Sequence, residues 1–190
     1  MDSQTVHMKL LLLGANGQVG RELQRSLAPL GELKVCDRNT VDFFDLTGLQ
    51  NLVRNYRPDV IVNAAAYTDV DKAESEEAKA YKINSEAVDL LAKEAKALNA
   101  WLIHYSTDYI FDGTKKGAYK EGDETNPKSV YGKSKLQGER AIIQSKCKYL
   151  ILRTSWLYSI YGNNFLKTII RLAKERKNLK VVSDQIGAPT

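Results

Sequence analysis

The sequence predicts an α/β fold, a doubly wound parallel sheet with helices on both faces. Three observations predict it. Short, continuous apolar runs recur at 9–13, 33–36, 60–62, 101–106, 149–154 and 179–182, as expected of strands buried on both faces. Longer segments with apolar residues at helical spacing separate them, and such alternation implies parallel strands joined by helical crossovers. The first run leads directly into three glycines, Gly14, Gly17 and Gly20, at the point where a strand gives way to a helix.

Taken in order, residues 9–13 form the first strand, and Val19, Leu23, Leu27 and Leu30 mark the helix after the glycines. Pro29 and Gly31 end it. The second strand, 33–36, stops at Asp37. A helix over 47–56 precedes the stop at Pro58 and the third strand, 60–62. Residues 76–98 read as one long amphipathic helix, with Ala80, Ile83, Ala87, Leu90, Leu91, Ala95 and Leu98 on one face. Strand 101–106 follows. Residues 113–128 are a loop rich in Gly, Lys and acidic side chains, and Pro127 precedes a helix over 130–145. Strand 149–154, helix 165–174 and a sixth strand, 179–182, complete the alternation. There is no internal repeat, low-complexity segment or linker.

The chain has 190 residues, enough for one domain with a substantial core. It is 43% hydrophobic and 27% charged, with a net charge of +5. The charges are mixed, and the one basic cluster, 171–180, falls on a helix and its exit, so it reads as a solvated face and calls for no nucleic acid. An anionic small molecule suits the balance. Cys36 and Cys147 lie far apart without metal-ligand spacing and read as buried thiols in a reducing cytoplasm. Residues 1–7 are polar and read as an extension ahead of the first strand. No apolar run is long enough to span a bilayer, so no membrane partner is expected.

The glycines are spaced Gly-x-x-Gly-x-x-Gly. Gly14 suits the tight turn, Gly17 the approach of a pyrophosphate, and Gly20 the packing of helix on sheet. The backbone N–H groups of Asn16, Gly17 and Gln18, with Val19 opening the helix, face the place of the phosphates. This is the dinucleotide site of a Rossmann-like domain, and NADH or NADPH is the expected cofactor. Asp37, at the end of the second strand, is placed to accept from a ribose 2′-hydroxyl, and Arg38 to pair with a 2′-phosphate, so the choice between the two stays open. Asp45 and Leu46 are expected beside the adenine. Ala64, Ala65, Ala66, Tyr67 and Thr68, after the third strand, would let the cofactor lie against the backbone.

Tyr131 and Lys135 stand four apart on a helix and so share one face. A tyrosine hydroxyl is a weak acid, with an unperturbed pKa of about 10, and a nearby ammonium would pull it toward the working range. Thr107, at the end of the fourth strand, is a plausible third polar group.

From these residues, together with Arg57-Pro58-Asp59-Val60-Ile61-Val62-Asn63, His104-Tyr105-Ser106-Thr107-Asp108-Tyr109, Arg153-Thr154-Ser155-Trp156 and Gly162-Asn163-Asn164-Phe165, the chain resembles the extended short-chain dehydrogenase/reductase family. The resemblance covers nearly everything after residue 7. It implies hydride transfer from the nicotinamide to the C4 ketone of a dTDP-activated 6-deoxy-hexulose. Tyr131 would supply the proton, Lys135 would hold the nicotinamide ribose and lower the Tyr131 pKa, and Thr107 would bond the sugar oxygen. Asp108 and Trp156 would contact the substrate, and Tyr105 would line the cofactor. Asn84 matches a position that orders water near the lysine in many relatives, although it reads more simply as an exposed helix amide. The related dehydratases carry an acid where this chain has Tyr109, which argues for simple reduction; an epimerase is less well excluded.

Family members continue into a smaller C-terminal lobe. The resemblance therefore implies a dinucleotide-binding domain over 8–190 that ends near the start of such a lobe, no metal site, and a nucleotide sugar as partner, with a homodimer as the assembly it allows. The rival is a non-catalytic cofactor-binding subunit, like the regulatory beta subunit of methionine adenosyltransferase. Intact Tyr131, Lys135 and Thr107 lean against it.

Overall fold

The structure, a computed structural model, describes residues 8–190; the extension expected at 1–7 lies outside the described residues. Five parallel strands, β1 (Lys9–Leu13), β2 (Glu32–Cys36), β3 (Val60–Asn63), β4 (Trp101–Thr107) and β5 (Lys148–Thr154), form one sheet in the order β2-β1-β3-β4-β5. The helices between them are α1 (Gln18–Leu27), α2 (Leu46–Tyr56), α3 (Val70–Ala73), α4 (Glu77–Tyr81), α5 (Ala87–Leu98) and α6 (Val130–Ser145), with α7 (Phe165–Glu175) after β5. This is the doubly wound, Rossmann-like arrangement that the sequence predicts. β2 lies on one side of β1 and β3 on the other, so the chain reverses direction across the sheet beside β1. Ligands bind at such a switch point, beyond the carboxyl ends of the strands.

The apolar runs explain the order. β1 and β3 are central and almost wholly buried, whereas β2 and β5 are edges with exposed residues along them. The main core gathers Leu11, Leu13, Ile61 and Leu102 from the sheet with Leu49 and Val53 from α2 and Val88 and Leu91 from α5. Cys36 and Cys147 are free, buried thiols within it. None of the described helices is long and apolar enough to cross a membrane.

The structure corrects the sequence reading in two places. Residues 179–182 form no strand. A β-branched run becomes a strand only where it can join a ladder, and Val181 and Val182 stay more than half exposed. The helix expected over 76–98 is interrupted by a π turn, Lys82–Glu86, between α4 and α5. The wider turn buries Ile83, Asn84 and Ser85 in succession, which a plain helix, with its period of 3.6, does not do.

Candidate active site

A cleft of about 810 Å³ opens at the carboxyl ends of the strands, and Gly14, Asn16, Gly17, Gln18 and Val19 line one side of it. Gly14 sits at φ +82°, where a side chain is strained, and an added Cβ would lie 2.5 Å from the Ala65 nitrogen. Gly20 lies out of the cleft, packed so closely on the turn that a Cβ would meet the Gly14 carbonyl. Gly17 closes the turn by donating to the Gly14 carbonyl at 3.1 Å. Its N–H is therefore spent, contrary to the sequence reading, and the Asn16 N–H and the helix start at Gln18 and Val19 are what remain for an anion. α1 has neither an N-cap side chain nor an acid in its first turn, so nothing there neutralises the positive end of the helix dipole.

Asp37 and Arg38 stand in the same wall. Asp37 Oδ1 accepts from the Asn39 N–H, the Thr40 N–H and the Thr40 hydroxyl, while Oδ2 accepts from the Asn16 amide at 2.7 Å. These bonds, the Thr40 hydroxyl first, hold its carboxyl below the usual range. Oδ2 keeps spare accepting capacity. Asp45 and Leu46 do not line the cleft. The Asp45 carboxylate caps α2 through the Gly48 N–H at 2.9 Å, and Leu46 packs on the core. Val41, Asp42 and Phe43 line the wall where Asp45 and Leu46 are expected.

Ala64, Ala65, Ala66 and Thr68 form the floor. Tyr67 turns away from it. Its hydroxyl donates to Glu76 at 2.7 Å, and burial together with that carboxylate pushes its pKa up to about 12. The backbone of Tyr67 is held on both sides by Asn84, which accepts from the Tyr67 N–H at 2.9 Å and donates to its carbonyl at 3.0 Å. Asn84 also donates to Ser134 in α6 at 3.0 Å and is 1% exposed, so it is a buried strut and not a surface amide.

Thr107, Tyr109, Tyr131 and Trp156 line the opposite side. Tyr131 shares the buried face of α6 with Lys135, as their spacing requires. Burial raises the Tyr131 pKa. The Thr107 hydroxyl offsets this in part, while Asp108 and Tyr109 add to it. The Tyr109 ring meets Tyr131 edge-on at 5.6 Å between centroids. Lys135 lies behind this wall, not in it, at 1% exposure. Its Nζ donates to the Tyr105 carbonyl at 2.6 Å and lies 3.2 Å from His104 Nε2. Burial lowers its pKa to about 8, against the pull of Glu139. In this arrangement Lys135 therefore does not lower the Tyr131 pKa, as its spacing had suggested. Tyr105 contributes its carbonyl, not a side chain, and does not line the cleft. Asp108 is also held outside the lining, by the Ser155 hydroxyl at 2.6 Å.

Two features escaped the sequence reading. The first is a buried polar line. Asn63 and His104 face each other in the register of β3 and β4 and bond at 3.1 Å, and His104 meets Lys135. Each ends or interrupts an apolar run, which is the only sign the sequence carries. The second is a latch across the start of α1. Gln18 donates to the Asn163 carbonyl at 3.1 Å and accepts from the Asn164 amide at 3.0 Å, and the Ser159 hydroxyl donates to Glu22 at 2.9 Å. This latch ties the segment after β5 to the glycine side and carries Trp156, 37% exposed, to the cleft mouth.

The family described as RmlD substrate binding domain matches residues 8–190. The chain is 54% identical over 187 residues to the dTDP-4-dehydrorhamnose reductase of Salmonella typhimurium, covering 96% of this chain and 62% of that protein. It is 53% identical to the Escherichia coli protein of the same name, with the same coverage. It is also similar to the solved structure of dTDP-4-dehydrorhamnose reductase from Bacillus anthracis in complex with NADP, with a TM-score of 0.93 and 41% identity over 97% of this chain and 66% of that one. The chain thus spans somewhat less than two thirds of the length of the curated relatives it matches.

Proposed function

The chain belongs to the RmlD substrate binding domain family, and from that premise we propose that it is the cofactor-binding part of an NAD(P)H-dependent oxidoreductase. The reaction is reduction of the C4 ketone of dTDP-4-dehydro-L-rhamnose to dTDP-L-rhamnose. One observation carries the reading: Tyr131, with the Thr107 hydroxyl beside it, opens on the same cleft as the glycine turn and the bare start of α1. Residues 8–190 are the dinucleotide-binding domain, and residues 1–7 an extension.

A nicotinamide dinucleotide fits these residues. Side chains at Gly14 and at Ala64 to Ala66 are absent or minimal where the backbone must be approached, and the N–H groups at Gln18 and Val19 suit a pyrophosphate. When bound, such a cofactor supplies hydride. Arg38 offers a cation for a 2′-phosphate and Asp37 a free lone pair for a 2′-hydroxyl, so both NADH and NADPH are proposed, and the Bacillus anthracis relative binds NADP.

The chain's own residues handle the proton. The buried Tyr131 phenol keeps its proton at neutral pH, which suits a donor to the developing C4 alkoxide. Thr107 holds that oxygen, and donors placed where charge develops act most strongly in a water-poor site. Trp156 presents a flat, half-exposed face for the sugar or base. Tyr109, where a dehydratase acid would stand, has no carboxylate to drive elimination. No observation favours the non-catalytic rival. The buried free thiols suit the cytoplasm, and a homodimer is proposed from the resemblance alone.

The test is oxidation of NADPH and NADH on addition of dTDP-4-dehydro-L-rhamnose. It is run with the chain alone and with the chain joined to the C-terminal remainder of the Salmonella typhimurium relative. Substrate-dependent loss of reduced cofactor is expected in the joined form. Its absence at saturating substrate, with cofactor binding intact, would refute the reading.

A further inference from the structure

The line Asn63–His104–Lys135 has a direction that its chemistry fixes. The Ala65 N–H donates to Asn63 Oδ1 at 3.1 Å. A backbone N–H can only donate, so the oxygen of the Asn63 amide must face it and the Nδ2 group must face His104 Nδ1, at 3.1 Å. An NH₂ group can only donate, so His104 Nδ1 must accept. A neutral imidazole with an accepting Nδ1 carries its proton on Nε2. That Nε2–H points at Lys135 Nζ, 3.2 Å away. An ammonium has three donors and no acceptor, whereas a neutral amine has a lone pair to receive this bond and still donates to the Tyr105 carbonyl at 2.6 Å.

We propose that Asn63 and His104 are positioning residues for Lys135: a fixed amide and a fixed imidazole tautomer that hold the lysine as a neutral, accepting amine in the cofactor-free protein at mildly alkaline pH. To support a Tyr131 phenolate, the lysine must take up a proton from solvent and give up its bond from His104. This second step rests on the reading of Tyr131 as the proton donor; the state of the resting line does not.

The surroundings agree. His104 is wholly buried, and burial holds its pKa well below the ordinary value. Lys135 lies near 8, so the switch falls close to neutral pH. The other groups facing α6 are Glu139 and Tyr131 on the helix itself, Arg153 of β5 paired to Glu139, Glu74 at the Val130 N–H, Asp108 and Tyr109 beside Tyr131, and Tyr67 and Tyr81, packed on the cluster that holds Val130 and Tyr131. The π turn and α5 bring Asn84 and Val88, neither of which titrates, and Lys96, whose ammonium donates to the Lys146 carbonyl at the far end of α6. Glu139 is the one carboxylate that raises the lysine's pKa, and Arg153 takes up its charge through two hydrogen bonds.

The chain has two histidines, His7 and His104, so imidazole ¹⁵N spectra of the whole chain, compared with those of His7→Gln, assign His104 directly. At about pH 9, above the lysine's value, the Nε2–H tautomer is expected. An Nδ1–H tautomer or an imidazolium there would overturn the proposal. Asn63→Asp keeps an acceptor for Ala65 but presents a carboxylate to Nδ1. It is expected to reverse the tautomer, let Nε2 accept from an ammonium, and raise the Lys135 midpoint by about one unit or more, read from ¹³Cε shifts of labelled lysines. An unchanged tautomer in that variant counts against the proposal. In the joined, active form the alkaline limb of the rate profile moves up with the lysine, which a merely structural asparagine would not cause. The spectra are taken without cofactor, so absence of turnover with the expected tautomer sinks only the functional reading, and the wrong tautomer sinks only this one.

Discussion

The two walls of the cleft are built by opposite means. The wall formed by β1, β3 and the start of α1 works by leaving side chains out: Gly14, Gly17 and Ala64 to Ala66 bring backbone to the surface, and Gly20 lets the helix sit against the turn. The wall formed by β4, β5 and α6 works by burying polar side chains and satisfying them, with the hydroxyl of Ser106 in β4 left without a partner among the described residues. His104, Lys135, Asn84, Ser134 and Glu139 are all nearly inaccessible. The first wall depends on shape and the second on pairing. Each should therefore fail in its own way when altered.

The largest effect is expected at the reacting group. Tyr131→Phe removes a hydroxyl and leaves the ring against Tyr109. General acid catalysis by a positioned side chain is worth roughly 10² to 10⁴ in rate, and a loss of that size in kcat is expected in the joined form. The affinity for reduced cofactor, followed by fluorescence titration, should change little, because the opposite wall supplies those contacts. Turnover close to that of the parent would remove Tyr131 from its role.

The pairing wall is tested next by Arg153→Met. Arg153 grips Glu139 through two bonds, at 3.1 and 2.7 Å, and Glu139 is 1% exposed. Removing the cation strands a buried carboxylate, which costs about 3 kcal/mol or more. Urea unfolding should show that loss. A variant within about 0.5 kcal/mol of the parent would mean that water reaches Glu139 and that the wall is less dry than the structure has it.

Gly14→Ala probes the wall built by omission. The strain of a side chain at φ +82°, about 1–2 kcal/mol, adds to the collision of a Cβ with the Ala65 backbone. A loss of about 2–3 kcal/mol is expected, together with loss of cofactor affinity, since the turn must shift to relieve the contact. If affinity survives the loss of stability, the turn and the phosphate site are separable, and the shape argument for this wall fails.

The same contrast explains what the sequence could disclose. The first wall is local: three glycines at fixed spacing between a strand and a helix carry their own physical meaning, and they place the cleft from the sequence alone. Tyr131 and Lys135 are legible as a pair because a helix relates positions four apart. The struts of the second wall join residues far apart in the chain, such as Asn63 to His104 and Asn84 to Ser134, and no spacing announces them. Asn84 reads as exposed because the π turn that buries it breaks the helical period. Tyr67 reads as a cofactor residue from its place after a strand, Asp45 from its place after a short apolar segment and Tyr105 from the family resemblance, but none of these fixes the direction of the side chain. The sixth strand failed for a similar reason: residues 179–182 have strand propensity and no ladder to join.

The finest test separates the walls by pH alone. Lys135, with a folded value near 8, lies below the ordinary lysine value of about 10.4. Between those two values the unfolded chain holds a proton that the folded chain has released, so stability rises with pH across that window and is flat below it. The gain is on the order of 1–3 kcal/mol. Tyr131 and Tyr67 act in the opposite sense, together with Tyr56, Tyr81, Tyr105 and the Cys36 thiol. Their folded values are raised, Tyr67 to about 12, so above about pH 10, where unfolded phenols ionise, stability falls again. Asp37, in the other wall, has a lowered value and contributes only in acid, where stability is lost as pH falls below the ordinary carboxylate range of about 4. Urea midpoints from about pH 7 to 11 should therefore pass through a maximum between about pH 8 and 10, with the buried Cys36 thiol opposing the lysine across that window. Lys135→Met fills the same space without a titrating group, and the rise from pH 8 should flatten while the fall above pH 10 remains. A rise that persists in Lys135→Met would assign it to some other group and leave the buried lysine of the second wall charged throughout.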